Sequence, residues 1–83
     1  MGEAAIHLIV VSPLGLVFDG FTTAVVLPGS KGSFEVLKDH APLISSLEKG
    51  DIRYYEDGVA KYIPIESGFV EVLDNEVSVA IEQ

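Results

Sequence analysis

Apolar and polar residues alternate along much of the chain, and breakers divide it into apolar stretches of 4–7 residues. Ile6, Leu8 and Val10 alternate with His7, Ile9 and Val11 in a run rich in β-branched residues, which predicts a first strand. Ser12-Pro13-Leu14-Gly15 closes it as a turn, and Leu16-Val17-Phe18 opens a second strand. Asp19-Gly20 reads as a turn dipeptide, followed by a stretch over 22–27 and then Pro28-Gly29. Further stretches cover 33–37 and 43–47, and Gly50-Asp51 leads into Ile52-Arg53-Tyr54-Tyr55. Two hairpins follow. Glu56-Asp57-Gly58 separates 52–55 from 59–65, where Asp-Gly supplies the positive φ of a tight turn. Asp74-Asn75 separates 69–73 from 77–81, and both residues tolerate left-handed geometry. In the last strand Val77, Val79 and Ile81 share one face.

No window holds a helical period over ten or more positions. A short helical turn over 42–47, with Pro42 at its first position, is the one helical alternative. About 8–10 short strands at this spacing predict an all-β fold, an antiparallel two-sheet β-sandwich or flattened barrel. The 83 residues (8.9 kDa) form one expected domain, 1–83, with room for a single core.

Charge narrows the partners. Five basic residues against 13 acidic give a net charge of −8, distributed as −2 over residues 1–40 and −6 over 41–83. Such a surface repels phosphate polyanions and anionic headgroups, so neither nucleic acid nor direct lipid insertion is expected. A partner of the second half should present basic groups. The apolar runs fall far short of the about 20 residues of a membrane-spanning helix, and no signal-peptide pattern opens the chain. Met1-Gly2 begins like a myristoylation motif, but Ile6 stands where that motif needs Ser or Thr.

Catalytic chemistry finds few residues to use. Without cysteine there is no disulfide, thiolate site or cysteine nucleophile. His40 stands beside Asp39 and near Ser45 and Ser46, but no GxSxG elbow presents a serine nucleophile. His7 lies within a strand and is expected at the surface or rim. Neither HxH, HExxH nor an EF-hand loop occurs, so no metal is expected. Pro28-Gly29-Ser30-Lys31-Gly32-Ser33 has the glycines of a P-loop in the wrong order, with Lys31 before the second glycine and strand-like residues after it. It is expected to be a connection between strands. Tyr54, Tyr55 and Tyr62 have too few basic neighbours for a nucleic-acid platform and read as packing within one hairpin. An acidic all-β domain could also be a lipoyl or biotinyl carrier, yet Leu37-Lys38-Asp39 and Glu48-Lys49-Gly50 do not match a carrier's lysine hairpin.

Four segments in fixed order carry a resemblance. They are Val10-Val11-Ser12-Pro13, Leu27-Pro28-Gly29-Ser30-Lys31-Gly32, the run from Val36-Leu37-Lys38-Asp39 into His40-Ala41-Pro42-Leu43-Ile44, and Gly68-Phe69-Val70-Glu71-Val72 with Asp74-Asn75. Over essentially its whole length the chain resembles the N-terminal β-sandwich domain of the F-type ATP synthase epsilon subunit. It departs at Leu14, where the family often has an acidic residue. Glu35 replaces a common glycine, and Lys38-Asp39 replaces a common Pro-Gly or Pro-Asn.

The resemblance implies a non-catalytic rotor part of the central stalk, without cofactor, that couples proton-driven rotation to ATP synthesis. It implies two partners, the gamma subunit and the membrane c-ring. His40, Ala41, Pro42, Leu43 and Ser45 would face gamma, whereas Lys31, Gly32, Ser33 and Phe34 would lie in the loop directed at the ring. Most of the family continues into a C-terminal pair of helices that restrains hydrolysis and in some members binds ATP. With nothing after Gln83, neither that arm nor a nucleotide is expected. The expected location is the cytoplasmic face of a bacterial inner membrane, held there through the complex. The alternative is a stand-alone carrier or protein-binding module of sandwich type.

Overall fold

The computed structural model describes residues 4–83; Met1-Gly2, weighed above as a lipidation signal, lies outside them. Nine strands are present among the described residues: β1 (Ile6–Ser12), β2 (Gly15–Thr22), β3 (Val25–Leu27), β4 (Phe34–Val36), β5 (Leu43–Leu47), β6 (Gly50–Glu56), β7 (Val59–Ile65), β8 (Ser67–Leu73) and β9 (Glu76–Glu82). They form a five-stranded sheet in the order β2-β1-β9-β8-β5 and a four-stranded sheet in the order β4-β3-β6-β7. Every pairing is antiparallel except β1 with β9, which run parallel and bring the first and last strands together. Among the described residues no helix is long and apolar enough to cross a membrane.

The period-two pattern determines what lies between the sheets. Ile6, Leu8, Val10, Val70, Val72, Val77, Val79 and Ile81 point inward from the larger sheet and meet Val25, Leu27, Val36, Ile52, Ile63 and Ile65 from the smaller one. Tyr54 joins this core, its ring 4.4 Å from that of Phe18. Burial, and then the Glu56 carboxylate, raise its phenol above the usual range. Tyr55 and Tyr62 take the other face of the same hairpin, where Tyr62 pairs with Arg53 across β6 and β7 and the Arg53 guanidinium lies 5.9 Å from the Tyr55 ring.

Both predicted hairpins form. Asp57 and Gly58 have φ of 52° and 77°, and Asp74 and Asn75 of 50° and 63°, the left-handed values that let two-residue turns follow the strand twist. The expected turn at Asp19-Gly20 does not form. β2 runs through it, with Asp19 opposite Ile9 and Gly20 opposite Leu8. Gly20 leaves room for a ring instead, since a Cβ there would lie 2.8 Å from Cζ of Phe18. The chain breaks later, between β2 and β3, where Thr22 is fully buried. Its hydroxyl donates to the Ala24 carbonyl (3.1 Å) and accepts from the Tyr55 N–H (2.9 Å), tying the end of β2 to β6 of the other sheet. Residues 43–47 are strand, not helix, because β5 pairs along its length with β8.

Candidate docking surfaces

The loop from β3 to β4 carries Lys31, Gly32 and Ser33, all exposed, in an open turn closed by a Gly32 N–H to Gly29 carbonyl bond (3.0 Å). No helix begins there, so the glycine-rich run is a strand connection, as expected. Phe34 at its end is half-buried and packs against the core rather than standing free. The loop is stitched to β5: the Ser30 N–H donates to the Ser46 carbonyl (3.0 Å), the Ser46 hydroxyl donates to that of Ser30 (2.9 Å), and Gly29 pairs with Leu47. Gly29 is buried in this corner, where a Cβ would come within 2.6 Å of the Gly32 carbonyl oxygen.

His40, Ala41 and Pro42 follow β4. Ala41 and Pro42 are exposed, and His40 is half-buried with its Nδ1–H donated to the Ala41 carbonyl (2.6 Å). Along β5 the faces alternate. Leu43 and Ser45 turn toward the inner side, where Leu43 packs on the core, whereas Ile44 and Ser46 turn out. Ser45 donates its hydroxyl to the Ser46 carbonyl (3.0 Å). The family resemblance implies different partners for the 31–34 and 40–45 segments. The structure brings part of each to one groove of about 570 Å³, lined by Lys31, Gly32 and Phe34 from the first and by His40, Leu43 and Ser45 from the second.

A larger feature is less evident from the sequence. The outer face of the five-stranded sheet carries a largely apolar cross-strand row beside a mixed one. One row runs Leu16, Val11, Ala80, Phe69, Ser46, and the next Asp19, Ile9, Ser78, Glu71, Ile44. Phe69 is 66% exposed and Ile44 76%, and between them and Ile9 lies a hollow of about 420 Å³. Asp19, Glu71, Glu76 and Glu82 supply the charge on this face; no Lys or Arg is among its described residues. His7 also sits here, stacked on Phe21 (ring centroids 4.7 Å apart) with Nε2 2.7 Å from an Asp19 oxygen. The signal for this face is the run Leu8-Ile9-Val10-Val11, apolar at outward as well as inward positions, as in strands covered on both sides.

The family description "ATP synthase, Delta/Epsilon chain, beta-sandwich domain" matches residues 5–83. The chain belongs to that family. An ATP synthase epsilon chain of Desulfitobacterium hafniense is 50% identical over 70 residues, covering 84% of this chain and 53% of that protein. The epsilon chain of Campylobacter lari is 45% identical over 75 residues, covering 89% and 58%. The chain thus spans a little over half the length of these relatives. In solved structures the fold recurs in a chain of the Euglena gracilis mitochondrial ATP synthase (TM-score 0.88, 22% identity), covering all of this chain and 54% of that one. A chain of the Tetrahymena thermophila mitochondrial ATP synthase central stalk and c-ring gives a TM-score of 0.77 at 14% identity, with 100% and 67% covered. Within this epsilon-type fold, φ at Asp39 is 65°, so the position favours Gly, Asn or Asp. Asp39 is compatible with that backbone geometry.

Proposed function

We propose that residues 1–83 are the sandwich domain of an epsilon-type central-stalk subunit, a non-catalytic rotor part that helps couple ion-driven ring rotation to ATP synthesis. The observation that carries this reading is the apolar outer face of the five-stranded sheet. A sandwich whose inner faces already meet in a closed core has no folding use for an exposed Phe69 and Ile44, and contiguous apolar surface of this kind marks an interface. In this reading the gamma subunit covers that face and its edge at 40–45, while the Lys31-Gly32-Ser33 loop meets the c-ring. The acidic residues around the apolar band ask for basic groups on gamma. Stitching of the ring-side loop to β5 gives the two contacts a common rigid footing, which load transfer between ring and shaft requires. The complex would hold the chain at the cytoplasmic face of a bacterial inner membrane. The test is to add the chain to epsilon-depleted membranes of its own source. Restored ATP-driven ion pumping supports the proposal; binding to the membranes without any gain in pumping would sink it.

A further inference from the structure

The crossover from β4 to β5 carries the proposed gamma-facing residues His40, Ala41 and Pro42 between the two sheets. Within it, the His40 N–H donates to the Leu37 carbonyl (3.1 Å). A second tie comes from far away in sequence, at the turn between β8 and β9. The Asn75 side-chain oxygen accepts the Asp39 N–H (2.7 Å), and its amide nitrogen donates to the Asp39 carboxylate (3.2 Å). The Asn75 carbonyl meanwhile accepts the His7 N–H at the start of β1 (2.9 Å). One side chain therefore clasps the residue before His40 from both its backbone and its carboxylate, and is itself anchored to the sheet.

The turn does not require this side chain. Asn75 has φ of 63°, which glycine adopts more readily, and the bond to His7 uses only its backbone. The amide is free to serve another end. We infer that Asn75 is the positioning residue of the gamma-docking loop, holding Asp39 in its left-handed conformation so that His40-Ala41-Pro42 is presented in a fixed shape. This rests on the docking reading above. Without the clasp the loop samples other conformations, and docking carries the cost of ordering it.

The test uses three single variants and one pair, with calorimetric titration against the cognate gamma subunit and amide hydrogen exchange of the free chain. Asn75→Gly removes both side-chain bonds and leaves the turn intact. It should weaken gamma binding about five- to tenfold and speed exchange at Asp39 by about tenfold, with little change in global melting. Asp74→Gly, in the same turn at φ 50°, introduces the same backbone freedom without touching Asp39 and should bind as the unaltered chain does. Asn75→Asp sets a carboxylate against that of Asp39 and should weaken binding at least as much. Adding Asp39→Asn to it restores a donor and an acceptor and should recover binding, which a loss of general stability would not predict. If the unaltered chain binds gamma and Asn75→Gly binds equally well, the positioning role is overturned and the docking reading stands. If the unaltered chain does not bind gamma, the docking reading fails, and this role with it.

Discussion

Thr22 shows how one buried polar atom can join two sheets. Its hydroxyl is both donor to Ala24 and acceptor from Tyr55, so neither backbone group is left dry and unpaired. Thr22→Val keeps the shape and deletes both bonds, and should cost about 1–3 kcal/mol, read as a lower urea midpoint with an unchanged slope. Thr22→Ser should recover most of the loss. Nothing in the sequence marks Thr22 as special, because its importance comes from Tyr55, 33 positions away. The same holds for Asn75, legible as a turn residue and not as the partner of Asp39. Local conformational preference can be read from a residue and its neighbours; long-range hydrogen bonds need the fold.

Elements were legible where the chain's own chemistry decides them. Asp57-Gly58 and Asp74-Asn75 set their hairpins, since left-handed turns select a short list of residues. Asp19-Gly20 has the same chemistry and lies inside β2, because pairing with β1 and the Phe18 ring over Gly20 outweigh the local turn preference. β5 resolves toward strand for a similar reason, with β8 beside it. The parallel pairing of β1 with β9 was not foreseen, since no local pattern specifies which strands become neighbours. The 28–34 connection was legible as a loop, but its stitch to β5 was not. That stitch gives an element-scale prediction. Gly29→Ala drives a methyl group into the Gly32 carbonyl and the Phe34 ring, and should destabilise the domain by about 1–3 kcal/mol, measured by thermal melting. A spectrum of the folded variant should show its changes concentrated in 28–34 and 45–47.

At the scale of the molecule, two stacked sheets with a shared core make a stiff body about 32 Å long, carrying a net charge of −8. Of the candidate docking residues taken from family resemblance, Lys31, Gly32, Phe34, His40, Leu43 and Ser45 line one groove, although the resemblance assigned them to separate partners. The apolar sheet face beside that groove was only partly legible. Its outward residues come from five strands, and only the register collects Val11, Ala80 and Phe69 into one row. Whether that face meets gamma is decided most directly by titrating the cognate gamma subunit into the chain by calorimetry. Phe69→Asp tests the proposed face, and Tyr62→Asp, on the outer side of the four-stranded sheet, serves as control. The account predicts saturable one-to-one binding, weakened about 100-fold or more by Phe69→Asp, as for a central anchor of an interface, and changed less than about twofold by Tyr62→Asp. Binding that survives Phe69→Asp and is lost with Tyr62→Asp, or a folded chain that does not bind gamma at all, would contradict it.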